Sequence, residues 1–285
     1  MSEYFAMQAS LCFAAAHILN RRGLVTSNAL TASVFSITLS ATVLWTMVPF
    51  FVPWSSFHTP AIWYFLIGGI FAPGLGRLMS LIGIERIGVG RSIPISNASP
   101  MVASVLAVLL MGETWSLQNF LGTSLVISGI VILSLKETAQ TRWRKRDLVF
   151  PALASLSFAI STNLRKIGLL VDNVPLVAAA VTATTALCFA LVLLKVQGGR
   201  RAFVLTRASF GWFLASGLTT TAAMLSVFFA LSYGRVVIVD PLVNTNPVLV
   251  LPLSFLFLRD LEAVTIRVVA GTLCTVVGTV LVILA

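Results

Sequence analysis

An all-α membrane protein, built from ten transmembrane helices as two inverted five-helix repeats, is the fold class that three observations predict. The 285-residue chain is 58% hydrophobic and 10% charged, with mean hydropathy +1.00, whereas an ordinary soluble domain is about 25% charged. It holds ten apolar stretches close to the roughly 20 residues that a spanning helix needs. Its second half also restates its first.

The restatement is clearest around the prolines. Residues 90–100, Gly-Arg-Ser-Ile-Pro-Ile-Ser-Asn-Ala-Ser-Pro, open an apolar run that leads to Gly112-Glu113, a polar patch, and a second apolar run with Gly122 and Gly129. Pro241, Asn244 and Pro247 match Pro94, Asn97 and Pro100 at one offset, and Gly271 and Gly278 match Gly122 and Gly129 at an offset two residues larger, as one small insertion produces. The openings also align, residues 13–24 with 158–169. A first repeat at 1–135, a basic connector at 136–148 and a second repeat at 149–285 follow, with a unit too long for a common solenoid.

Taken in order, the ten segments are 4–20, 29–52, 61–84, 92–111, 117–135, 149–170, 174–196, 209–232, 236–258 and 263–284. The two longest connections, 136–148 and 197–208, read as basic rather than structured. Met1 to Tyr4 carry no basic residue, and the first apolar run meets Asn20-Arg21-Arg22 with no small-residue cleavage site, so it reads as a retained helix. Five helices per repeat is an odd number. The second unit therefore enters the bilayer upside down, the inverted-repeat construction usual in secondary transporters.

Composition excludes other classes. The net charge of +10 comes from 19 Lys and Arg at the ends of apolar runs, not from a stripe or patch, so no nucleic-acid partner is expected. Cys12, Cys188 and Cys274 are far apart in apolar segments, which predicts core packing and neither a disulfide framework nor a metal site. The only histidines are His17 and His58, and no Gly-Lys-Ser or Gly-Lys-Thr phosphate loop occurs. No cofactor, catalytic group or ATP-driven step is indicated.

Two stretches carry a family resemblance. Residues 97–113, Asn-Ala-Ser-Pro-Met-Val-Ala-Ser-Val-Leu-Ala-Val-Leu-Leu-Met-Gly-Glu, precede Gly122 and Gly129; residues 244–262, Asn-Thr-Asn-Pro-Val-Leu-Val-Leu-Pro-Leu-Ser-Phe-Leu-Phe-Leu-Arg-Asp-Leu-Glu, precede Gly271 and Gly278. With the five-plus-five layout, the chain resembles the EamA-type branch of the drug/metabolite transporter superfamily. The resemblance implies a ten-helix carrier in the bacterial inner membrane for small metabolites or drugs, working by exchange or proton coupling. The second copy departs in its acidic residue, Asp260 or Glu262, and no role is carried onto either.

The polar residues within the segments are the candidates for chemistry. Arg77 lies about two turns before Glu85, on the order of 10 Å inside the helix end. A charge at that depth needs water or a partner, and its planar cation suits a carboxylate or phosphate; a snorkelling side chain or a structural pair is the competing account. The proline pairs Pro94/Pro100 and Pro241/Pro247 are expected to free helix carbonyls. Asn97 and Asn244 sit between them, with Ser96 and Asn246 nearby, as substrate-binding candidates or as amides that only satisfy the broken helices. Asn163 joins this set beside Thr162, at the place matching His17. Asp240 is the acidic candidate for proton coupling or for neutralising Arg77, and otherwise a local partner of Arg235. His17, a second coupling candidate, sits near a helix end where a structural role is the commoner case. Gly122 with Gly129 and Gly271 with Gly278 place small residues on one face of the fifth and tenth helices for close packing.

The expected partners are a small-molecule substrate and the lipid bilayer, with a homodimer also compatible. A flippase for a lipid-linked anion would use Arg77 too, and a membrane enzyme or assembly subunit is the reading outside transport. Loop charge sets the expected orientation. Most Lys and Arg fall on one side, with only Arg165, Lys166 and Arg235 assigned to the other, which puts both termini outside the cytoplasm.

Overall fold

A computed structural model of the chain describes residues 1–53, 59–87, 95–96, 98–134, 144–199, 202–246, 249 and 266–284. Among them every regular element is helical. In chain order these are α1 (Ser2–Gly23), α2 (Ala29–Phe51), α3 (Ala61–Gly69), a π turn (Ile70–Leu75), α4 (Gly76–Ile87), α5 (Ser99–Met111), α6 (Leu117–Ser134), α7 (Val149–Val171), α8 (Pro175–Val196), α9 (Arg207–Tyr233), α10 (Val236–Val243) and α11 (Ile266–Ile283). Five helices among the described residues are long and apolar enough to cross a membrane: Leu30–Phe51, Ala61–Ser80, Arg146–Val171, Pro175–Val196 and Arg207–Tyr233.

Local chemistry explains several ends. The Asn28 side chain accepts the Thr31 N–H at 2.8 Å to start α2. Thr206 and Ser209 cap α9 reciprocally, each backbone N–H reaching the other's hydroxyl at 3.1 Å. Gly112, with φ +65, ends α5 in the left-handed region that glycine enters without a Cβ penalty.

The two halves interleave in antiparallel pairs. Phe5 stacks on Phe229 at 5.4 Å and Ser216 Oγ donates to Ala16 O at 3.2 Å, so α1 runs against α9. Gly168 lies against Phe65 and Ser161 Oγ donates to Gly68 O at 2.7 Å, so α3 runs against α7. Exchanging the halves turns one pair into the other. The same exchange maps α2–α8 and α6–α11 onto themselves, and α1–α10 onto α5–α7. First and third spans of repeats in the same orientation would lie parallel; the observed direction fits two inverted repeats. Small residues permit the approach: Ala6, Ala9, Ala103, Ala107, Ala159 and Ala178 to Ala180 are all buried in one core. At the expected glycines, a Cβ on Gly122 would sit 2.8 Å from Gly278 O, and one on Gly278 would sit 2.6 Å from Gly122 O.

Several expectations are corrected. Segment 61–84 is not one straight helix but α3 and α4 joined by the π turn. Pro100 lies in the first turn of α5, where no helical donor is lost, so it frees no carbonyl. Pro241 does sit inside α10, while Pro94 and Pro247 lie outside the described residues. Both long connectors carry structure: Lys145–Leu148 forms a 3-10 turn. The other docks on the α1–α2 turn through Ser27 Oγ to Val204 O (2.6 Å) and Asn28 Nδ2 to Ala202 O (2.9 Å). The cysteines are not core: Cys188 is exposed, and Cys12 and Cys274 are half-buried. Hydropathy does not separate a core face from a lipid face, because lipid is as apolar as the core.

Candidate functional site

The break in the third span creates the site. Gly68-Gly69 end α3, Ala72 is extended (φ −146, ψ 130), and Pro73 brings no N–H. Carbonyls left without helical partners inside a spanning segment must be satisfied by the surrounding protein or by water. Helix α7 supplies the donors. Ser161 Oγ reaches Gly68 O at 2.7 Å and Ala72 O at 3.3 Å, and Arg165 Nη2 donates to Ala72 O at 2.6 Å. Arg165 also lies over the Phe228 ring, 5.3 Å from its centroid.

One turn beyond Pro73, Arg77 lines a cavity of about 280 Å³ between α2, α4 and α8. Its walls are mainly apolar, with Leu30, Ile37, Phe189 and Leu193, while Ser33 and Gln197 add polar groups. Arg77 makes no hydrogen bond or ion pair among the described residues and is half-buried. A guanidinium inside a spanning segment that has no partner among the described residues is left with its charge toward this cavity. His17 on α1 is exposed, and Arg77 lies within its electrostatic reach.

A second polar layer lies between α7 and α10. Asp240 Oδ1 accepts from Thr162 Oγ1 at 3.2 Å, and its Oδ2 is buried without a partner. Arg165 is within electrostatic reach of Asp240 without closing to an ion pair, and its Nε is likewise buried and unpartnered. Asp240 is thus not the partner expected for Arg77, because α7 interposes its own arginine. Nor does Arg235 pair with Asp240; it donates to Thr114 instead.

The other sequence candidates divide by what their amides do. Asn163 is buried, donating to Ala103 O (3.1 Å) and Ala159 O (2.9 Å) while its Oδ1 finds no partner. Ser96 is buried with an unpartnered hydroxyl. Asn244 and Asn246 donate to their own backbone, to Asp240 O at 2.8 Å and Val243 O at 3.2 Å. Asn97 and His58 lie outside the described residues. Arg165 and Lys166, counted with the loop charges although they fall inside segment 149–170, sit within α7, where Lys166 is buried and donates to Leu231 O and Gly234 O, each at 2.8 Å. Sequence reasoning also passed over Pro73. Its signal was present as Gly-Gly-Ile-Phe-Ala-Pro-Gly (68–74) inside an apolar run.

Comparison with known proteins decides the family. The profile of the EamA-like transporter family matches residues 1–135 and 147–284, nearly the whole chain. The chain belongs to the EamA-like transporter family. No curated protein matches it. Among solved structures, one described only as a crystal structure of a protein is similar over 99% of this chain and 96% of its own, with TM-score 0.82 at 14% identity. At that identity the likeness shows the fold alone. As an EamA-like member of the drug/metabolite transporter superfamily, the chain is a membrane transporter.

Proposed function

We propose that this EamA-like transporter is a secondary carrier. It moves a small metabolite or drug-like solute, anionic at the end that meets Arg77, by alternating access between inverted five-helix units at 1–135 and 149–285 joined by the basic connector 136–148. One observation carries this reading: an arginine with no partner among the described residues lines a cavity at the break of a spanning helix. Broken helices at the junction of repeats are where carriers bind substrate, and Arg77 offers the planar fork that suits carboxylate or phosphate. Ser96 and Asn163, each with a buried polar atom unpartnered, complete the proposed path with Asn97, Asn244 and Asn246. The apolar walls around Arg77 also favour a second reading, a flippase for a lipid-linked anion.

Counterflow in proteoliposomes tests this, with organic acids, amino acids and cationic dyes offered in turn and anionic-lipid scrambling measured alongside. Organic anions are expected to exchange and cationic dyes not. Exchange of the dyes alone refutes the anionic reading, and lipid scrambling without solute exchange selects the flippase.

Asp240 is proposed as the proton-coupling carboxylate, because one oxygen is held by Thr162 and the other is unpartnered, with His17 as the second candidate. Asp240→Asn should keep substrate exchange and lose uptake driven by a pH gradient. Retained gradient-driven uptake assigns coupling elsewhere.

Both termini are proposed to face away from the cytoplasm. Removing Arg165 and Lys166 from the loops sharpens the charge asymmetry on which that orientation rests. A cysteine introduced in the connector, labelled in intact cells by an impermeant reagent, would reverse the assignment.

A further inference from the structure

Three charged residues outside the Arg77 cavity hold the α9–α10 turn, at the end of the molecule where the chain begins. Gly112 closes α5 with a left-handed turn, after which the Glu113 carboxylate straddles the start of α10. Val236 N–H donates to Oε1 at 2.9 Å and Val237 N–H donates to Oε2 at 3.1 Å. These are two of the four amides that a helix start leaves without internal partners, and the helix dipole favours a carboxylate there. The N-cap residue of α10, Arg235, supplies no side-chain cap. It reaches back to Thr114 instead. Lys166 holds the other side of the turn through the closing carbonyls Leu231 O and Gly234 O, where a cation suits the helix end. Glu113 comes from the first half of the chain and the turn from the second, so this contact spans the two units.

A second polar layer lies one helical turn deeper on the same elements. Asp240 is four residues beyond Val236 on α10, and Thr162 is four residues before Lys166 on α7. Residues four apart share a helix face, which stacks the Asp240–Thr162 bond directly beneath the Glu113 and Lys166 contacts. Withdrawing α10 from Glu113 therefore displaces Asp240 from Thr162.

We propose that Glu113 is a positioning residue for transport, the clasp of the gate at this face. It closes the gate by holding the α10 N-terminus, and it is coupled through the rigid first turn of α10 to the state of Asp240. This rests on the alternating-access reading, but its test needs no substrate.

A reporter cysteine replaces Val243, buried one turn below Asp240, in a full-length chain from which Cys12, Cys188 and Cys274 have been removed. Reaction with an impermeant thiol reagent is measured in nanodiscs, where both faces are open, and in oriented proteoliposomes with reagent on the terminus side. Glu113→Ala is expected to speed labelling from that side about tenfold or more, as loss of two hydrogen bonds to a charged acceptor implies. Glu113→Gln, which keeps an acceptor for one amide, should fall between and serves if the alanine variant does not fold. Asp240→Asn should shift the same rate, and its effect should be non-additive with that of Glu113→Ala, as expected for groups acting on one two-state element. An unchanged rate in folded Glu113 variants overturns the clasp, and strict additivity overturns the coupling. Failure of every anion in counterflow would remove the proposed substrate while leaving this result standing.

Discussion

Arg77→Ala is expected to leave the protein folded and to raise KM for the transported anion by roughly 10- to 100-fold, the equivalent of ~1.5–3 kcal/mol for a hydrogen bond to a charged group. The fold should tolerate the change because Arg77 has no hydrogen-bond or ion-pair partner among the described residues to strand. Removing an unpaired cation from a spanning segment also removes a desolvation cost. Arg77→Lys should recover only part of the affinity, since an ammonium keeps the charge and loses the fork. Arg165→Ala should behave oppositely. It would leave Ala72 O only the longer bond from Ser161 at 3.3 Å and Asp240 without its neighbouring cation, lowering thermal stability along with transport. Uptake kinetics and melting temperatures of the two purified variants separate a substrate contact from a structural charge. Normal KM in Arg77→Ala removes Arg77 from the site.

Gly278→Leu is expected to destabilise the protein by about 1–3 kcal/mol or more, the range for overpacking a close contact. The first carbon of any side chain there would lie 2.6 Å from both Gly122 O and Val126 N, which are backbone atoms with no rotamer to yield. Either α6 and α11 part, or the protein fails to assemble. Gly211→Leu is the matched control, because a Cβ there meets nothing within 4 Å. Thermal unfolding in detergent gives the comparison, and equal melting temperatures for the two variants would mean that the glycine seam does not hold these helices together.

The seam was legible in the sequence for a physical reason: close backbone approach admits only small side chains, and a seven-residue spacing keeps them on one face. The duplication was legible in the same way, through Pro241, Asn244, Pro247, Gly271 and Gly278, and an odd helix number then dictated the inversion. Arg77 was found because its depth is expensive. What stayed hidden were pairings between halves. Segment 149–170 already held Arg165 and Lys166, but not their partners: carbonyls in the π turn and at the end of α9 receive their cations inside the protein. The partner of Asp240 depends on which face α7 turns to α10, and no local pattern encodes that. Glu113 was quoted as part of a motif, but its task concerns amides 123 and 124 residues away. The cysteines misled for the complementary reason, since a lipid-facing and a core-facing apolar position read alike.

The central claim, that position 77 faces a water-filled path, is tested most directly by thiol chemistry at that position. Arg77→Cys in a chain lacking Cys12, Cys188 and Cys274 is exposed to a cationic, membrane-impermeant thiol reagent in proteoliposomes, with Cys188 alone retained in a second chain as the lipid-facing comparison. The account predicts rapid modification at position 77 from one side of the membrane and little modification at Cys188. Modification of position 77 by lipid-soluble maleimide alone, with no reaction from the aqueous phase on either side, would contradict it.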